Sequence, residues 1–136
     1  MSIVVGYVPT REGRAALDRA AQEAVLRSLK LIVVKSARSG RAFGATESSQ
    51  LADQLVGITE SLDREGIAHE VRVLEGREDP SEDLIAVAED TDADCIVIGL
   101  RRRSKVGKLF LGSNAQRVLL DAACPVLAVK APEQAW

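Results

Sequence analysis

Basic excess, long apolar runs, paired cysteines and aromatic side chains are all scarce in this chain of 136 residues, and each scarcity removes a class of answer. The 18 basic residues stand against 20 acidic ones, for a formal net charge of −2. That leaves no surplus to neutralise many phosphates, which argues against a nucleic-acid binder. No apolar run approaches the roughly 20 residues of a membrane span. The opening Met1-Ser2-Ile3-Val4-Val5 lacks the basic-then-apolar pattern of a secretion signal and goes straight into a strand. The expectation is a cytoplasmic protein with no membrane partner. Two cysteines, Cys95 and Cys124, fit no zinc or redox spacing and read as small buried hydrophobes in a reducing compartment. The single histidine, His69, has no nucleophile beside it in sequence and reads as a surface residue at a strand start. Aromatics make up 3% of the chain, so its apolar weight is carried by Ala, Val, Leu and Ile. Aliphatic strands with alanine-rich helices favour layered α/β packing.

What is present is a regular alternation of strands and helices within one domain spanning residues 1–136, long enough for one sizeable core. Ser2–Val8 reads as a strand and Thr10–Leu29 as a helix. Ala16, Leu17, Ala20, Ala21, Ala24 and Val25 form the apolar face of that helix, with Arg11, Arg14, Asp18, Arg19, Glu23 and Arg27 toward solvent. Lys30–Ala37 is a near-continuously apolar second strand, as expected where both sheet faces are covered. A loop at Ser39–Thr46 leads to a helix at Glu47–Glu65, with Leu51, Leu55, Ile58 and Leu62 on one side, stopped by Gly66. Ala68–Leu74 reads as a half-exposed edge strand and Gly76–Asp79 as a turn. Asp79 and Pro80 are N-cap and first residue of a helix carrying Leu84, Ile85 and Ala88. Asp94–Gly99, Gly112–Ala123 and Pro125–Lys130 complete the series as strand, helix and strand, before a loosely packed tail at Ala131–Trp136. Such alternation predicts a parallel sheet with right-handed crossovers and helices on both faces.

The stretch from Gly99 to Ser113 carries the chemistry. It leaves an apolar strand, Cys95-Ile96-Val97-Ile98, and delivers Gly112-Ser113 to a helix start. Backbone N–H groups at a helix start lack intrahelical partners, and the dipole favours an anion there. Five basic residues, Arg101, Arg102, Arg103, Lys105 and Lys108, lie in the same stretch. The pattern suits a small phosphorylated ligand; it also fits a solvated basic loop. Ligands of parallel α/β folds bind beyond the carboxyl ends of the strands where strand order reverses. If the first and fourth strands are neighbours, Tyr7-Val8-Pro9-Thr10 meets the basic stretch there. Other motifs fail: Gly107-Lys108 is followed by Leu109 and completes no P-loop, and no glycine lies between Gly6 and Gly13 for a dinucleotide fingerprint. Asp90, Asp92 and Asp94 read as a solvated turn, since no calcium-loop glycine or terminal glutamate follows.

These segments together resemble the universal stress protein family, over nearly the whole chain. The resemblance rests on Arg14-Ala15-Ala16-Leu17 after the opening strand, on Cys95-Ile96-Val97-Ile98-Gly99, and on Leu111-Gly112-Ser113 through Cys124-Pro125-Val126-Leu127-Ala128-Val129-Lys130. ATP-binding members of the family carry Gly, two residues, Gly, nine residues, then Gly with Ser or Thr. Gly99 and Gly112-Ser113 stand at the matching separation, with Arg102 in the place of the second glycine. Val8 stands where the family usually has Asp. Losing a hydrogen bond to a charged group costs roughly 1.5–3 kcal/mol, whereas an arginine offers a planar fork of donors to phosphate.

The resemblance implies an open five-stranded parallel sheet in the order 3-2-1-4-5, like that of the adenine nucleotide alpha hydrolases, and a stress-response module binding ATP or a related adenine nucleotide. Magnesium is expected only with bound nucleotide. Gly99, Gly112, Ser113 and Asn114 would hold phosphate, with charge from Arg101, Arg102 and Arg103. Gly6, Tyr7, Val8 and Pro9 would line the base or ribose side, with Val34 and Ile98 as apolar walls. No metal-ligating or catalytic residue is assigned. Val8 and Arg102 motivate one rival, a nucleotide-independent interaction protein of the same fold; the other is a weak ATPase or nucleotidyl transferase, for which the matched loops supply no base. In the 3-2-1-4-5 order the last strand, Pro125, Val126, Leu127, Ala128, Val129 and Lys130, forms an apolar sheet edge. Such an edge is an aggregation hazard unless covered, and the same strand of a second copy would close a homodimer over it.

Overall fold

The computed structural model describes residues 1–36, 45–74, 79–102 and 109–131. The elements in chain order are β1 (Ser2–Gly6), α1 (Arg11–Arg27), β2 (Lys30–Ser36), α2 (Ala45–Arg64), β3 (His69–Leu74), α3 (Pro80–Asp90), β4 (Ala93–Arg102), β5 (Leu109–Phe110), α4 (Ser113–Asp121) and β6 (Val126–Lys130). Five strands run parallel in the spatial order β3-β2-β1-β4-β6, which is the predicted order with β6 as the last strand. The short β5 is an addition the sequence did not reveal; it pairs antiparallel with the end of β4. Arg103, Lys105, Lys108, most of the Ser39–Thr46 loop, most of the Gly76–Asp79 turn and the tail beyond Ala131 lie outside the described residues.

Alternation along the strands assigns each face its core. Ile3, Val5 and Tyr7 of the first strand and its continuation, Leu31 and Val33 of β2, and Cys95 and Val97 of β4 pack with Ala16, Leu17, Ala20 and Ala24 of α1 and Leu62 of α2. Val4, Ile32, Val34, Ile96 and Ile98 point the other way, onto Leu84, Val87 and Ala88 of α3 and Val118 of α4. Period-2 side chains with both faces covered explain why these strands read as unbroken apolar runs.

α1 begins where Thr10, in extended backbone, accepts a hydrogen bond from the Gly13 N–H through its hydroxyl at 3.1 Å. It ends at Ser28, in left-handed backbone with φ 56°. Two side chains of this helix sit opposite to expectation. Glu23 is buried, because Arg19 and Arg27, one turn to either side, bracket its carboxylate at 3.1 and 3.2 Å. Arg27 also pairs with Asp94 and so fastens the end of α1 to the start of β4. Val25 is 60% exposed, one position round the helix from the buried stripe.

The start of α1 presses on its neighbours so closely that glycine is required at two places. A Cβ on Gly13 would lie 1.8 Å from the Val8 carbonyl oxygen, and one on Gly99 would lie 2.4 Å from the Glu12 carbonyl oxygen. Gly99 thus has a packing duty: it lets α1 begin directly over the end of β4. At the far edge, β3 is held by the Glu70 carboxylate, which binds Lys30 at 3.0 Å and pairs with Arg72, while Arg72 reaches Asp90 at 3.0 Å. The Arg72 hydrogen bond, then that of Lys30, holds the Glu70 carboxyl below its usual range.

Two predictions follow from this packing and pairing. Gly13→Ala and Gly99→Ala each lose about 1–3 kcal/mol of stability by overpacking. Gly57→Ala, whose Cβ meets nothing within 4 Å on α2, gains about 0.5–1 kcal/mol. Urea unfolding of the three variants reads both signs. A carboxyl with a depressed folded pKa stabilises above its unfolded pKa and loses that contribution as pH falls through the folded value. The urea midpoints of wild type and Glu70→Gln therefore differ at neutral pH and converge in acid.

Candidate functional site

Because β1 and β4 are neighbours and run the same way, with Val5 opposite Val97, the chain leaves both from one rim of the sheet. This is the point at which strand order reverses, and it is where parallel α/β sheets hold ligands. From β1 the chain continues through Tyr7, whose N–H donates to the Val34 carbonyl at 2.9 Å, and turns at Val8-Pro9 into the Thr10 cap of α1. Val8 and Pro9 are exposed, Val8 by 45%. Tyr7, expected to line the base or ribose side, has its side chain 3% exposed, in the core beneath α1. Val34 and Ile98 are likewise interior, at 2% and 6%, packed toward α3 and α4. Their side chains form the floor under the rim.

β4 runs on through Gly99, which pairs with Val129, to Arg101 and Arg102, which pair with Phe110 and Leu109 of β5. The expected loop therefore begins as a hairpin, and the strand ends at Arg102 rather than at Gly99. This changes the meaning of the missing second glycine. Extended strand backbone is open to any L residue, so Arg102 strains nothing at a position where the family pattern has Gly.

Gly112 is the N-cap of α4, in extended backbone with φ −65° and ψ 165°. Gln116 N–H donates to the Gly112 carbonyl at 3.0 Å, and the Gln116 side-chain amide reaches back to the Leu111 carbonyl at 2.9 Å. The first turn, with exposed Ser113 and Asn114, precedes the intrahelical ladder and contains no acidic residue. A helix end of this kind presents N–H donors and a positive partial charge. Chemically it can hold an anion, and it supplies no general base or metal-binding carboxylate.

One basic residue on α4 escaped the sequence reading. Arg117 Nη1 lies 3.2 Å from Asp79 Oδ2, Nη2 lies 2.6 Å from Glu82 Oε1, and Nε lies 3.7 Å from Asp121 Oδ2. Asp79 does occupy the N-cap of α3, as its sequence context predicts, yet its carboxylate caps no helix N–H and is held by Arg117 instead. Sequence gave no cue, since 38 residues separate Asp79 from Arg117.

At the opposite, amino end of the strands a cavity of about 270 Å³ opens between the ends of α3 and α4, lined by Ile85, Ala88, Ile96, Ala122 and Cys124 among others. Burial pushes the Cys124 and Cys95 thiols up, against thiolate chemistry. No helix among the described residues is long and apolar enough to cross a membrane.

Comparison with known proteins bears on the family. A universal stress protein of Mycolicibacterium smegmatis is 39% identical over 128 residues, which cover 94% of this chain and 96% of the relative. The solved universal stress protein of Archaeoglobus fulgidus superposes with a TM-score of 0.81 at 34% identity, covering 96% of this chain and 98% of that one. A second structure of a universal stress protein from that organism, in complex with dAMP, matches at TM-score 0.77 and 30% identity over 96% of this chain and 98% of its own. The family model described as the universal stress protein family matches residues 1–130, and the chain belongs to that family.

Proposed function

We propose that this chain is a stress-response regulatory module that binds an adenine nucleotide at the carboxyl rim of β1 and β4, as a homodimer. The observation that carries the reading is the first turn of α4, Ser113 and Asn114 behind the Gly112 cap, whose N–H groups precede the intrahelical ladder and which contains no acid. The relative bound to dAMP, with 30% identity, supports an adenine nucleotide as the anion. In this reading the α4 start holds phosphate, with Gly99 close behind it and Arg101, Arg102 and Arg103 adding charge. Gly6, Val8 and Pro9 flank the base or ribose. ATP is accommodated if its further phosphates reach the arginines, and magnesium then comes with the polyphosphate. The exposed Val8, in place of the family's usual Asp, supports the second reading, a nucleotide-independent interaction protein.

Homodimerisation is proposed through β6. It is the outer strand beyond β4, with Leu127 and Val129 turned to the core below α1, and Ala128 and Lys130 exposed. Val126, Leu127, Ala128 and Val129 place no charge on the open edge ahead of Lys130. A second copy laid antiparallel along it, with Pro125 at the start of each strand, pairs those backbone groups in a closed two-fold arrangement.

Calorimetric titration with AMP, dAMP, ADP, ATP and cyclic AMP tests the site. Binding of at least one is expected, weakened about tenfold or more by Ser113→Ala through a lost hydrogen bond to a charged group. Ser113→Asp separates ligand from fold: a carboxylate in the first turn favours the helix and repels phosphate, so stability holds while binding is lost. Absence of binding by all five at millimolar concentration defeats the nucleotide reading and favours the interaction protein. For assembly, sedimentation at tens of micromolar is expected to give a dimer for the wild type and a monomer for Ala128→Pro, which removes a donor from the open edge and leaves the β4–β6 ladder its own donors. A monomeric wild type overturns the dimer.

A further inference from the structure

α3 and α4 pack against one another on the same face of the sheet, and each runs from the carboxyl rim toward the amino ends of the strands. Their first turns are therefore neighbours with opposed electrostatic needs. α3 opens with Asp79 at its cap and Glu82 and Asp83 in its first turn, which complements its own dipole. α4 opens with no acid at all. Carboxylates on the adjoining turn lower the potential where the proposed anion would sit, a penalty that grows as the charges approach and shrinks as salt screens them.

Arg117 lies one turn into α4 and faces α3. Its fork takes Asp79 and Glu82, at 3.2 and 2.6 Å, and its Nε approaches Asp121 at 3.7 Å. All three of its nitrogens are thus directed at carboxylates, two of them on the other helix. Asp83, on the same turn of α3, is 8% exposed, and its Oδ2 has no hydrogen-bond partner. Arg117 itself is 45% exposed. Half-exposed ion pairs add little to stability, so stability alone is a weak reason for a bidentate bridge between helices here.

We propose that Arg117 is a positioning residue for the nucleotide site: it neutralises the acidic first turn of α3, so that the adjoining first turn of α4 accepts a phosphate. The role rests on the nucleotide reading above. It differs from that of a simple clamp in one consequence. If Arg117 acts by masking charge, its loss is repaired by removing the charges it masks. A clamp, by contrast, is not restored by deleting its partners as well.

The experiment is calorimetric titration of AMP into the full chain, as wild type, Arg117→Met, Arg117→Lys and the triple variant Asp79→Asn, Glu82→Gln, Arg117→Met. Each is measured at about 50 mM and about 500 mM salt, between which the Debye length falls from roughly 14 to roughly 4 Å. Urea midpoints confirm that every variant is folded, as expected for exposed positions. Arg117→Met is expected to bind about tenfold more weakly at low salt and to lose much of that deficit at high salt. Arg117→Lys, which keeps the charge, stays near wild type, and the triple variant recovers to within about threefold of it. A triple variant as weak as Arg117→Met, or a deficit independent of salt, overturns the masking role while leaving the nucleotide reading in place. If the wild type binds another of the five nucleotides but not AMP, the same variants are titrated with that nucleotide; a wild type that binds none of AMP, dAMP, ADP, ATP and cyclic AMP overturns the nucleotide reading and the role of Arg117 with it.

Discussion

The pairing of β1 with β4 is the contact on which the rest of the molecule depends. These strands are far apart in sequence, yet Ile3, Val4 and Val5 lie opposite Cys95, Ile96 and Val97 in parallel register. With β2 on its other side, β1 becomes the centre of the sheet. The chain winds outward one way with α1 and α2 over one face, and the other way with α3 and α4 over the other. The starts of α1 and α4 then flank the end of β4 from opposite faces. Gly13 and Gly99 allow the first of these approaches, since any side chain there would collide with a carbonyl oxygen.

Charge is arranged around that rim with a logic set by the helix dipoles. Acids sit in the first turns of α1 and α3, at Glu12 and at Glu82 and Asp83, where they meet partial positive charge. α4 departs from the pattern, and its neighbour on that face is the helix with the most acidic start. Arg117 bridges the two, taking the Asp79 and Glu82 carboxylates. The paired acids elsewhere serve structure: Asp94 fastens Arg27 at the amino end of β4, and Asp90 joins Arg72 on the edge strand. Seen this way, one arginine lets two helices with conflicting electrostatic demands share a rim.

Much of this was legible in the sequence, for identifiable physical reasons. Strands covered on both faces are near-continuous apolar runs, so β1, β2 and β4 were plain, and Thr10 and Asp79-Pro80 marked the starts of α1 and α3. The burial of Tyr7 had a signal in the sequence: it continues the inward series Ile3, Val5 one step past the end of β1. Glu23 reads as a polar residue on a polar face, and nothing local says that two arginines will fold over it. The β5 hairpin involves two residues, Leu109 and Phe110, paired with two arginines, too short to show any alternation. Arg117 was illegible because its partners are on another helix. Local periodicity reports which face of an element is buried; it says nothing about which distant side chain shares that surface.

The central claim is that the rim formed by the ends of β1 and β4 and the start of α4 is where the ligand sits. Amide chemical-shift mapping of the full chain during titration with AMP tests it most directly. The account predicts shifts concentrated at Gly6, Val8, Gly99, Gly112, Ser113 and Asn114, with the amide of Cys124 at the opposite pole unmoved. Saturable shifts centred on Ala122 to Cys124, or none on the first turn of α4, would contradict it.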